Sequence, residues 1–154
     1  MRYSFAADRT LGKLAKWLRI LGFDTLFESD IANQGFYDNL APERVLLTRT
    51  AANRDRFADR PIVFIETDHV RDQLRQVIND LAITRRDIHL FSVCLQCNSP
   101  IIAVGKQDVY GQVPDYTWQI HDEFSRCRQC ERIYWAGSHV ERSRAILEKL
   151  FKQG

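Results

Sequence analysis

RYSFAADRTLGKLAKWLRILGFDTLFESD, residues 2–30, changes its apolar period twice. Residues 2–7 predict a short strand. From there Leu11, Leu14, Ala15, Leu18 and Leu21 recur at helical spacing and stop at Gly22, so a helix is expected between them. Residues 24–28 predict a second strand. Strand, helix and strand in so short a span have the form of one parallel crossover.

The alternation continues downstream. Ser29-Asp30 opens a helix expected to run to about Leu40, weakened by Gly35, and Pro42 introduces a strand over residues 44–48. A helical turn is expected over residues 53–57. Pro61 precedes the apolar run Ile62–Ile65, which has the length and β-branching of a buried strand. Val70, Leu74, Val77, Ile78 and Leu81 then form the cleanest helical stripe in the chain. The predicted fold class is α/β, with a mostly parallel sheet flanked by helices over residues 1–87.

From Ile88 to the end, residues 88–154, the pattern predicts a small β-rich unit. Its strands are expected at IHLFSV (88–93), PIIAVG (100–105), QVPDY (112–116) and RIYWAG (132–137). Ser138-His139-Val140-Glu141 has the form of a capping box and starts a closing helix with Leu147, Leu150 and Phe151 on its buried side. No repeat, low-complexity tract or glycine-rich linker intervenes, so the two units are expected to be tightly joined.

With 154 residues, 45% of them hydrophobic, the chain can bury a core and is not a disordered tail. MRYSFAADRT lacks the apolar stretch of a secretory signal, and no apolar run approaches the roughly 20 residues needed to cross a bilayer. A soluble, cytoplasmic protein without a membrane partner is expected. The net charge of +2 is weak evidence for an anionic partner, so a nucleic-acid reading must rest on local patches. Nucleotide-cofactor and zinc-protease readings have no motif to stand on.

All four cysteines fall in two C-x-x-C pairs, Cys94/Cys97 and Cys127/Cys130, with 29 residues between the pairs. Paired knuckles at this spacing point to one Zn²⁺ with four thiolate ligands rather than to disulfides, and to a reducing compartment. Four free or redox-active thiols are the alternative. Four sulfur ligands leave no coordination position for water, so the expected zinc is structural, and His121 is not needed as a ligand.

Arg126, Arg128 and Arg132, with Tyr134 and Trp135 beside them, suit a single-stranded nucleic-acid surface, where cations track phosphates and rings stack on bases. Equally, Tyr134 and Trp135 can pack beneath the ribbon while the arginines are solvated. On the first helix Arg9, Lys13 and Lys16 form a basic stripe, which is either a phosphate clamp or a solvated face.

In open parallel sheets, ligands sit beyond the C-terminal strand ends. Asp8, Asp30, the triplet Thr48-Arg49-Thr50, and Glu66 with Asp68 follow the four predicted strands in turn. Carboxylates gathered at one edge can hold Mg²⁺ or Mn²⁺ for phosphodiester hydrolysis. Taken singly, Asp8 and Asp30 read as helix N-caps and Glu66 and Asp68 as loop charges. Arg49, just past a buried strand, is the best placed of the cations.

Phe5-Ala6-Ala7-Asp8 followed by the run Leu11 to Thr25, then Arg44-Val45-Leu46-Leu47-Thr48-Arg49, both knuckles, and Arg132 to His139 closely resemble the Mut7-C RNase domain family over nearly the whole chain. The resemblance implies a PIN-like nuclease fold fused to a zinc ribbon, and metal-dependent cleavage of RNA. On that basis Asp8 matches the family's first acid, Asp30 its second, and Asp24 another recurrent acid. The family pattern reads Leu-Thr-Arg-Asp after the third strand; here Thr50 stands where the aspartate is expected, with Asp55 and Glu66 as candidate substitutes. The leading expectation is a ribonuclease in which Asp8, Asp30 and Glu66 or Asp68 hold Mg²⁺ or Mn²⁺, Arg49 steadies the scissile phosphate, and Arg126, Arg128, Arg132 and Trp135 grip RNA. The alternatives are a non-catalytic RNA-binding or adaptor protein with a degenerate site at Thr50, and a module that uses the ribbon to dock a protein partner; a homodimer is also left open.

Overall fold

In the computed structural model, which describes residues 2–31 and 35–152, the first half of the chain forms one four-stranded parallel sheet. Its strands are β1 (Phe5–Ala7), β2 (Thr25–Phe27), β3 (Val45–Thr48) and β4 (Ile62–Phe64), in the order β2-β1-β3-β4. Every residue of β1 and β3 is buried, which is why neither strand alternates in polarity. The chain divides into two compact units, residues 1–90 and 91–154.

Three helices belong to the first unit: α1 (Gly12–Ile20), α2 (Ala51–Arg56) and α3 (Val70–Asp80). Helix α1 buries Leu14, Ala15 and Leu18, and α3 buries Leu74, Val77 and Ile78, the residues that their helical spacing picks out. Gly22 ends the α1 segment at φ 94°. Its amide bonds Arg19 O and the Phe23 amide bonds Leu18 O, the paired closure that needs a left-handed residue at this point. The chain is thereby turned into β2. Ala6 and Leu46, on one face of the sheet, pack with Phe36 under Leu26, Tyr37, Leu40, Phe57 and Ile62.

The helix expected over residues 29–40 does not form as such. The described residues show a 3₁₀ turn at Glu28–Asp30 and a turn over 35–39, while residues 32–34 lie outside the described residues. Asn39 accounts for part of the difference, because its side-chain Nδ2 donates at 2.9 Å to Gly35 O, the carbonyl that its own amide also uses, a side-chain bond that competes with helix propagation.

The second unit carries an antiparallel sheet of β5 (Ile101–Val104), β6 (Phe124–Cys127) and β7 (Ile133–Trp135), in that order, with α4 (Asp115–Ile120) and the closing α5 (Ser138–Lys152). Two expected strands are absent. Phe91 at φ 58° breaks the segment 88–93, leaving only a bridge between Val93 and Pro100. Pro114, which has no amide to donate, instead precedes α4 and accepts the Trp118 amide. Strand β6, not expected, is buried at its two ends: its Phe124 joins the small core of Val109 and Val113 beneath Val104, Trp118, Ile133 and Trp135. Helix α5 buries Val140, Ser143, Leu147 and Leu150, with Phe151 only partly covered. Among the described residues no helix is long and apolar enough to cross a membrane.

Candidate functional site

The chain leaves β1 for β2 on one side and returns to β3 on the other, so the C-terminal ends of β1 and β3 flank a topological switch point. Asp8, directly after β1, and Arg49, directly after β3, meet there. Asp8 is 2% exposed. Its Oδ1 accepts the Thr10 amide at 2.9 Å and hydroxyl at 2.6 Å; its Oδ2 accepts the Thr48 hydroxyl at 2.7 Å and the Arg49 amide at 3.0 Å. A carboxylate offers about four acceptor positions, and all are used. Asp8 therefore knits β1 to β3, and α1 starts later, with Leu11 as its uncapped N-cap residue.

The guanidinium of Arg49 pairs with the exposed carboxylate of Asp68. Asp8, Arg49 and Asp68 thus form one run of contacts beyond the sheet. Glu66 is exposed, with its amide on Gln76 Oε1 at 3.2 Å. Asp30 turns elsewhere: it takes Nη2 of Arg19 at 3.1 Å and balances a guanidinium that is only 7% exposed. Asp24 lies at the opposite, N-terminal end of β2, where both its oxygens bind Arg44 at 2.9 Å. Asp55 pairs with its neighbour Arg54 on α2.

The carboxylate adjacent to Asp8 is Glu28, which the sequence reading passes over. Parallel register sets Ala7 against Phe27, so the next residues, Asp8 and Glu28, emerge side by side. Glu28 accepts the Arg9 amide and guanidinium, each at 3.0 Å, and the Tyr37 hydroxyl at 2.9 Å. Asn53 Nδ2 in turn donates to Tyr37 Oη at 3.1 Å and to Thr48 Oγ1 at 3.3 Å. The result is a polar network from Glu28 through Tyr37, Asn53 and Thr48 to Asp8, across the ends of three strands. Burial raises the affinity of Glu28 for a proton, but the bonds from Arg9 and Tyr37 outweigh it and hold this carboxyl below its ordinary value. Burial and the bond to Glu28 push the Tyr37 phenol up. Thr50 is the N-cap of α2 and accepts the Asn53 amide at 3.3 Å.

Among the described residues, the one group of three or more His, Cys, Asp or Glu side chains arranged to hold an ion is Cys94, Cys97, Cys127 and Cys130, with all sulfurs within 4.8 Å of one another. Cys97 Sγ is 3.2 Å from Cys127 Sγ, and Cys94 Sγ is 3.6 Å from Cys130 Sγ. A tetrahedral shell with Zn–S bonds of about 2.3 Å spaces its sulfurs about 3.8 Å apart, so this group can hold a metal ion such as zinc. The two knuckles share one backbone pattern. The Asn98 amide bonds Cys94 O as the Glu131 amide bonds Cys127 O, and Ser99 O takes the Cys94 amide as Arg132 O takes the Cys127 amide. Asn98 at φ 67° and Glu131 at φ 64° follow the second cysteine of each turn. Burial raises Cys97, but bonds from the Ser99 backbone and Cys127 bring it down to about 6. His121 stays outside the group.

One contact distinguishes the first knuckle. Tyr134 Oη lies 3.1 Å from Cys94 Sγ and accepts the Leu95 amide at 3.2 Å. Of the expected RNA contacts, Arg128 is exposed, and Arg132 is exposed with Nη1 on Gln96 Oε1 at 2.6 Å. Arg126 is half-buried and donates to Gln112 at 2.7 Å, and Trp135 packs on the core of the unit. Lys13 and Lys16 stand exposed along α1.

No curated protein and no solved structure matches the chain. The model of the family described as the Mut7-C RNAse domain matches residues 3–147, which takes in both the sheet edge around Asp8 and the cysteine cluster, and the chain belongs to that family.

Proposed function

We propose that the chain is a divalent-metal-dependent ribonuclease that works at the C-terminal edge of its four-stranded sheet, with a structural zinc ion stapling the ribbon over residues 88–154. The observation that carries the reading is the join of Asp8 to Arg49 at the switch point, in a chain of an RNase-domain family. Asp8, Glu28 and the hydroxyls of Thr48 and Thr50 offer hard oxygen donors of the kind Mg²⁺ and Mn²⁺ take. Asp8 and Glu28 would hold the ion, with Asp8 releasing donors from Thr10 or Thr48. Bound there, the ion supplies a Lewis acid and offsets phosphodiester charge.

Arg49 serves the phosphate. Its guanidinium keeps donors beyond those used on Asp68 and stands next to the acid it orients through its own backbone. Arg9, Lys13, Lys16, Arg128 and Arg132 are exposed cations for the RNA backbone. Around zinc, four thiolates leave no position for water, so that ion serves folding. Such thiolates suit a reducing, cytoplasmic setting.

A second reading, a non-catalytic RNA-binding protein, is favoured by two observations: Asp8 is saturated by protein donors, and Thr50 spends its side chain capping α2. Cleavage of labelled RNA with Mn²⁺ separates the two. The ribonuclease reading expects cleavage by the wild type and a loss of about tenfold or more in Arg49→Ala, with an unchanged melting temperature. Arg49→Ala is a cleaner probe than Asp8→Asn, which breaks a buried network. RNA binding without cleavage, with cleavage appearing in Thr50→Asp, establishes the second reading; aspartate is itself a good N-cap, so α2 survives the change. A wild type that neither binds nor cleaves RNA refutes both.

A further inference from the structure

We infer that Tyr134 is a positioning residue for the metal centre, donating an O–H···S hydrogen bond to Cys94 that lowers the nucleophilicity of this one ligand and holds the ion more firmly. The direction of the bond follows from proton counting. Tyr134 Oη accepts the Leu95 amide at 3.2 Å and has one proton of its own, 3.1 Å from Cys94 Sγ. A cysteine that ligates a metal is a thiolate and can only accept. The phenol therefore gives its proton to sulfur while the amide of the next residue fixes its oxygen.

The other ligands meet different donors: Cys97 takes the backbone and the hydroxyl of Ser99, and Cys130 takes the Arg132 backbone, so among the described residues the phenol is particular to Cys94. Cys127 Sγ takes a backbone donor, the Gln129 amide at 3.4 Å, and Cys130 is exposed where Cys94 is wholly buried. The ring of Tyr134 is itself held: it sits on β7, opposite Ser125 of β6, with the Arg132 guanidinium 6.0 Å from its centroid. A hydrogen bond to thiolate sulfur withdraws charge from it, which makes the sulfur a poorer attacking group and a steadier ligand. The two knuckles, alike in backbone, are thus unequal in chemistry.

The inference rests on the cysteine group holding an ion, and the test keeps the two apart. The full chain and Tyr134→Phe are loaded with Co²⁺, and metal content, the sulfur-to-cobalt charge-transfer band and site-resolved alkylation by N-ethylmaleimide are measured. The expected result is one ion per chain in both. In Tyr134→Phe the band moves to lower energy and Cys94 reacts about fivefold faster, the rate equivalent of one ordinary hydrogen bond, with Cys97, Cys127 and Cys130 unchanged. A variant that holds its ion with the band and the Cys94 rate unmoved overturns the role of Tyr134, as does an equal acceleration of all four cysteines, which is the mark of a loosened knuckle. A wild type that takes up no Co²⁺ overturns the metal reading together with it.

Discussion

Glu28 and Asp30 are two residues apart and have separate duties. Glu28 stands beside Asp8 and gathers Arg9 and Tyr37, whereas Asp30 balances the buried Arg19. A second strand expected to run to Glu28 leaves Asp30 as the acid that follows it; β2 ends at Phe27, which places Glu28 directly at the strand end. Tyr37 and Asn53 were out of reach of sequence for another reason, since each joins the network from a turn or helix outside the strand ends that the sheet rule inspects. Glu28 also makes a pH signature. Its folded-state affinity for protons is below the ordinary value, so its stabilising share is present above the ordinary carboxylate range and is lost as pH falls through the depressed value. Glu28→Gln is expected to cost about 1 kcal/mol at neutral pH. In urea melts the gap from wild type should close as pH is lowered through that range; a gap that stays constant contradicts the assignment.

At the scale of elements, the parallel half of the fold was legible and much of the ribbon was not. Leu14, Leu18, Leu74 and Val77 advertise their helices by period, and β3 by its unbroken apolar run. The ribbon's strands are three or four residues long and are paired through knuckles, so local pattern carries little of their specification. Strand β6 illustrates the point: its two buried residues, Phe124 and Cys127, serve a core and a cysteine cluster assembled from other segments. The knuckles themselves contain a test. Asn98 tolerates a left-handed backbone, but Glu131 at φ 64° is an unfavourable residue for the same place. Glu131→Asn is expected to stabilise the ribbon by about 0.5–1 kcal/mol, read as slower amide exchange over residues 124–135. No gain would mean that the Glu131 side chain compensates its backbone.

For the molecule as a whole, the two units have different sources of stability. The first has a continuous apolar core through β1 and β3. The second has a core of few large side chains beside four sulfurs drawn together, the situation in which a bound metal would contribute folding free energy directly. Treating the full chain with a strong chelator is expected to abolish exchange protection over residues 93–135 and to leave that of β1, β3 and α1 in place. Retained protection in the ribbon after metal removal would show that apolar packing alone holds it.

The bonds from Asp8 to Thr48 and Arg49 span 40 and 41 positions of the chain. Closing a loop of that length costs on the order of 3 kcal/mol in chain entropy, and the closure is sealed at the residues assigned to the chemistry. Substitutions at this seam that loosen Asp8 lower the stability of the folded chain as well as disturbing the proposed site, because they also free the whole excursion from the first strand to the third. Activity and foldability are therefore expected to drift together there, and a variant that changes one alone must come from the exposed side chains around the seam.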